Sequence, residues 1–77
     1  MHDERLYFKL YLEKKFEETG KTRADLYKAL NLDRSTLSNY LKDKRTPIHS
    51  VIKATVKFFS KRKADRRKDL YLIYFGE

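Results

Sequence analysis

Cysteine and tryptophan are absent from the 77 residues, proline occurs once and glycine twice. Without cysteine, neither a disulfide framework nor a Cys-based zinc site can supplement a small core, and nothing argues for secretion. The scarcity of proline and glycine disfavours a many-hairpin sheet and favours helices joined by short turns. The longest apolar run, Leu70 to Phe75, falls far short of the ~20 residues that a transmembrane helix needs. No positively charged leader precedes an apolar run at the N-terminus, so the sequence reads as soluble and cytoplasmic, with no membrane partner. A chain of this size buries only roughly 60% of its unfolded surface, which leaves no room for a second core or a small-molecule-binding domain.

Chemistry-bearing clusters are equally scarce. There is no cysteine nucleophile and no glycine-rich phosphate loop, and His2 and His49 stand alone, without metal-ligand spacing. Glu13, Glu17 and Glu18 are interleaved with Lys14 and Lys15, where pairing one helical turn apart explains them. The sequence therefore offers no catalytic residue, no metal site and no cofactor, and reads as a non-enzyme.

What is abundant is positive charge. The formal net charge is +8, which points to a polyanionic partner, nucleic acid foremost. Residues 1–20 carry four basic and five acidic side chains, residues 21–45 carry seven and three, and residues 46–77 carry eight and three. The basic surface thus starts after the first helix.

Phe8, Leu12 and Phe16 recur every fourth residue, with Leu6 and Leu10 on a neighbouring row, which predicts a helix over Arg5 to Thr19. Gly20 suits a left-handed residue beyond its end. Thr22 and Asp25 are spaced as a capping box for a second helix, Arg23 to Leu30. Asn31 tolerates the positive φ of a tight turn. Asp33 is a good N-cap for a third helix, Arg34 to about Lys42. Thr46 and Pro47 repeat the start signal, and a fourth helix is expected to carry Ile48, Val51, Ile52, Thr55, Phe58 and Phe59 inward. The expected fold is an all-α bundle of four to five helices. Residues 1–60 form the main domain, and residues 61–77 a basic linker and an aromatic C-terminal segment. The latter is either a fifth helix or a strand, with helix favoured because only Ile73 is β-branched.

Two short helices separated by a three- to four-residue turn make a helix-turn-helix, in which the second helix enters the DNA major groove and the first lies across the backbone. Leu26, Leu30, Leu32, Leu37 and Tyr40 form the apolar set that locks the pair, leaving Arg34, Ser35, Ser38 and Asn39 facing outward. Over Leu12 to Phe59 the chain resembles the Cro and lambda-repressor-like helix-turn-helix family, also called the xenobiotic-response-element family. The resemblance is carried by Gly20, by "LYKALNLDRSTLSNYLKDKRTP" and by the apolar spacing. The chain departs from the family pattern at Asn31, where glycine is usual, and at Tyr27, where a small residue is usual because the helices approach closely.

The resemblance implies that Arg34, Ser35, Ser38 and Asn39 read bases. The chemistry agrees: Arg pairs bidentately with guanine and Asn with adenine, each pair giving roughly 1–3 kcal/mol of discrimination. Arg23, Lys42, Lys44 and Arg45 match backbone-contact positions; Thr22 and Thr36, near helix N-termini, can also offer hydroxyls or amides to phosphates, although Thr22 reads first as a cap. The implied function is a sequence-specific, double-stranded DNA-binding regulator, a small dimeric repressor of phage, plasmid or mobile-element type associated with the nucleoid. Its half-sites would lie about 34 Å apart or a multiple of that. Leu70, Tyr71, Leu72, Ile73, Tyr74 and Phe75 are the expected homodimer contact, and truncation before Asp69 is expected to leave a folded monomer. The alternative is an antitoxin-like or anti-repressor interaction module on the same fold.

Overall fold

The computed structural model describes residues 4–42 and 44–76, and every regular element within them is helical. In chain order these are α1 (Glu4–Thr19), α2 (Arg23–Ala29), α3 (Arg34–Leu41), α4 (His49–Phe59) and α5 (Lys63–Phe75). The turns fall where the local residues allow them. Gly20 has φ 71° and Asn31 φ 54°, the left-handed conformation that ends α1 and redirects the chain after α2.

The periodic apolar positions define one core. Phe8, Tyr11 and Leu12 of α1 meet Leu26 of α2, Leu37 and Tyr40 of α3, Ile52 and Val56 of α4, and Ile73 of α5. Each such side chain contributes roughly 1.5–3 kcal/mol when fully buried. Edge-to-face aromatic pairs fix the crossings. Phe8 and Tyr40 join α1 to α3 with centroids 5.5 Å apart, and Phe16 and Phe59 join α1 to α4 at 5.8 Å. The one buried threonine, Thr55, satisfies its hydroxyl on the Val51 carbonyl at 2.8 Å.

The C-terminal segment is a helix, and the strand alternative falls. α5 packs on α1 and α4, and Ile73 is fully buried. A three-residue shift of pattern, from Leu70 to Ile73, points one row inward, which a strand could not do without placing Ile73 and Leu70 on opposite faces. Gly76, at φ 75°, closes the helix with its amide donating to the Leu72 carbonyl at 2.8 Å. The linker shrinks accordingly: Lys63 to Lys68 belong to α5, and only Ser60, Lys61 and Arg62 separate it from α4.

Two further expectations need correction around α4. The helix starts at His49 rather than at Pro47; Ile48 is its extended N-cap, with φ −81° and ψ 158°, and caps with no side chain. Pro47 is buried ahead of the helix, so packing rather than helix entry sets its place. Ile48, expected inward, is 62% exposed because it precedes the helical periodicity that turns Ile52 inward. Val56, not anticipated, takes a core position instead.

Candidate nucleic-acid interface

α2 begins with a complete capping box. The Thr22 hydroxyl accepts from the Asp25 amide at 3.2 Å, and the Asp25 carboxylate accepts from the Thr22 amide at 2.9 Å. These Thr22 contacts hold the exposed Asp25 carboxyl below its ordinary range. Lys21 supports the same corner, with its ammonium 4.7 Å from the Phe58 ring centroid, which ties the α1–α2 turn to α4.

The turn that follows α2 is closed by its backbone. The Leu30 amide reaches the Leu26 carbonyl at 3.0 Å, and the Leu32 amide reaches the Tyr27 carbonyl at 2.8 Å. Asp33 then occupies the N-cap of α3 in extended conformation, but its carboxylate makes no cap hydrogen bond, so the expected side-chain cap is not formed. The first-turn amides of α3 are left for solvent or an incoming anion. Of the apolar set, Leu26, Leu37 and Tyr40 are buried, while Leu30 and Leu32 are half-buried against the core.

The outward side of this unit is a cleft of about 360 Å³ between α2 and α3, lined by Arg23, Ala24 and Tyr27 from one helix and Arg34, Leu37 and Ser38 from the other. Three residues assigned by sequence to two different roles, Arg23, Arg34 and Ser38, are therefore brought to one place. Ser35 is exposed on the first turn of α3; Thr36 and Asn39 are half-buried and do not line the cleft. Lys42, Lys44 and Arg45 are exposed beyond the C-terminus of α3, where the Lys44 amide folds back on the Asn39 carbonyl at 2.9 Å.

Tyr27 is half-buried against the core and lines the space between α2 and α3 together with Arg23 and Arg34. Its hydroxyl has no hydrogen-bond partner among the described residues. The sequence signal for this place was its position four residues after Arg23, on the same helical face.

The chain matches no family model, curated protein or solved structure.

Its electrostatics are then the decisive local feature. Among the described residues, the ion pairs are Lys14–Glu18, Lys15–Glu18 and Lys15–Asp69, all made by α1. Arg23, Arg34, Lys42, Lys44 and Arg45 have no carboxylate within 4 Å among those residues, and over residues 21–45 seven basic side chains outnumber three acidic ones, so the field over α2 and α3 is net positive. No group of three or more His, Cys, Asp or Glu able to hold a metal occurs among the described residues, and none of their helices is long and apolar enough to cross a membrane. His49 stacks near Tyr74, with its Nδ1 against the phenolic hydroxyl, a contact between α4 and α5; His2 lies outside the described residues.

The six positions expected at a dimer contact separate into two kinds. Ile73 belongs to the core, and Leu70, Leu72 and Tyr74 are half-buried against it. Tyr71 and Phe75 remain 55% and 62% exposed, with ring centroids 4.6 Å apart. On α1, which packs beside α5, Leu6 and Leu10 are also exposed.

Proposed function

We propose that this protein is a sequence-specific, double-stranded DNA-binding regulator of the Cro and lambda-repressor-like kind, with α3 as the element that enters the major groove. The observation that carries this reading is the convergence of Arg23, Arg34 and Ser38 on one outward cleft, the two arginines without a carboxylate within 4 Å among the described residues. A solvated helix face has no need of two arginines on different helices lining one cleft beside a tyrosine. A groove-reading unit needs both, one to fix position on phosphate and one to reach base edges.

Arg34 and Ser35 lie on the first turn of α3, the end of a recognition helix that approaches bases. Ser38 and Asn39 follow one turn later. Thr22, Arg23, Lys42, Lys44 and Arg45 flank α3 on both sides and, with Thr36 in its first turn, suit phosphate contacts, the four cations adding to the salt dependence of binding. The open amides at the start of α3 add partial positive charge. One reading head covers few base pairs, so the working form is a dimer on a two-fold site, acting as a repressor by occlusion. The exposed Tyr71 and Phe75, with Leu6 and Leu10 exposed on the neighbouring α1, suit a contact with a second copy. An interaction module without DNA would not require the outward arginines.

Selection of duplexes from a randomised pool, with footprinting of the winners, tests the reading. The expected result is a two-fold symmetric site with half-site centres about 34 Å apart or a multiple of that. Retention of every duplex alike, or a preference for unpaired strands, would overturn it.

A further inference from the structure

We propose that the outer face of α4, away from the α2–α3 cleft, docks an acidic amphipathic helix of a protein partner. Two depressions of about 220 and 240 Å³ lie on either side of Ala54. The first is bounded by α5 at Leu70, the second by the α2–α3 turn at Leu30 and Leu32, so together they form a trough crossing α4. The first depression has an apolar floor, with Val56 and Leu70 beside the exposed Ala54, whose small side chain permits close backbone approach; in the second, Ser50 joins Leu30, Leu32 and Val51. The trough shares no lining residue with the cleft of Arg23 and Arg34.

The rim identifies the occupant. Lys53, Lys57 and Arg66 all border the first, apolar depression, and none has a carboxylate within 4 Å among the described residues. No aspartate or glutamate lines either depression. Lys53 and Lys57 sit one helical turn apart, a like-charge spacing that weakens an isolated helix and is relieved when an anionic group bridges it. Arg66 is held in place, its Nε donating to the Ser60 carbonyl at 2.7 Å. An apolar floor beneath three cations is complementary to a helix with leucines on one stripe and glutamates beside it, the helix-in-groove mode of recognition. Phosphates of a nucleic acid would meet the cations but leave the floor uncovered.

The probe is a fluorescently labelled synthetic helix with leucines spaced by three and four and glutamates flanking them, measured by anisotropy against the full chain. A glutamine-for-glutamate version is the control. The doubly reversed variant K53E/K57E is expected to weaken binding by more than about tenfold, since close interfacial charge pairs couple by more than 1.4 kcal/mol. Ala54→Gln, which adds bulk without charge, is expected to weaken it at least severalfold. R67E/K68E makes the same charge change on the exposed face of α5 and is expected to leave binding within twofold. All three variants alter exposed side chains, and unchanged circular dichroism and Tm confirm folding.

Failure of the glutamate peptide to bind, equal loss in R67E/K68E, or indifference to Ala54→Gln would each overturn the proposal. If K53E/K57E instead weakens a random-sequence duplex as much as the peptide, the surface belongs to nucleic acid. The α2–α3 reading stands or falls separately, because its residues lie in the other cleft.

Discussion

The Tyr11 hydroxyl donates to the Asp69 carboxylate at 2.8 Å, joining α1 to α5 across 58 positions of sequence. Ser60 donates to the same carboxylate oxygen, Lys15 lies 3.8 Å from it, and Arg66 anchors the Ser60 carbonyl. Tyr11 and Lys15 of α1 and Ser60 of the α4–α5 turn therefore meet at one half-buried carboxylate of α5, which orients the C-terminal helix on the bundle.

Tyr11→Phe removes one hydrogen bond to a charged acceptor and is expected to cost about 1–3 kcal/mol at neutral pH. Burial, and then the bond to Asp69, raise the Tyr11 pKa well above its ordinary 10.0. Folding thus favours the protonated phenol, so the contribution is complete below pH 10 and is lost as pH rises beyond it. Urea unfolding at neutral pH and above pH 10 should show the wild type losing more stability than Tyr11→Phe; parallel losses would remove Tyr11 from the alkaline response.

Within α5, core and surface roles are assigned to neighbours. Ile73→Ala is expected to destabilise by about 2–5 kcal/mol, a large part of the stability of so small a domain. Tyr71→Ala and Phe75→Ala, at exposed positions, should leave Tm nearly unchanged and instead shift sedimentation towards monomer. Removal of the chain from Asp69 onward takes away both Ile73 and the Tyr11 partner, so it should unfold the protein rather than yield the folded monomer that the sequence suggested.

On DNA, Arg34→Ala and Lys44→Ala should differ in kind. Loss of Arg34 should reduce discrimination at one or two base pairs by about 1–3 kcal/mol. Loss of Lys44 should weaken all duplexes similarly and lower the salt slope by about one. Binding titrations on the selected site and on single-base variants, at several salt concentrations, distinguish them. Equal cost for both on every site would exclude base reading by Arg34.

Tyr27→Phe retains the ring and deletes a hydroxyl that has no partner among the described residues. Stability should stay within about 0.5 kcal/mol, as for surface changes generally. Duplex affinity should fall severalfold, because Tyr27 lines the cleft with Arg23 and Arg34. A fall in Tm with no change in affinity would make Tyr27 a packing residue only.

The sequence alone determined the helical class, the ends of α1 and α2, the capping box of Thr22 and Asp25 and the left-handed turn at Asn31. Each depends on periodicity or on neighbours within four residues, and such local preferences are written in the chain. It also placed Leu26, Leu37 and Tyr40 inside, and with them the outward direction of Arg34 and Ser35. Gly76 after Phe75 is a stop signal that suits a fifth helix, while the aromatic run before it fits neither period cleanly.

Tertiary structure decided the rest. Ile73 and Tyr71 are both apolar members of one helix, and only docking on α1 and α4 makes the first core and the second surface. Burial of Pro47 displaced the start of α4 and left Ile48 in solvent. The meeting of Arg23 with Arg34 around Tyr27, and of Lys53 and Lys57 with Arg66 around Ala54, required two helices to come together. Pattern in one segment fixes which side faces inward; which groups from another segment lie opposite is set only when the shared core closes.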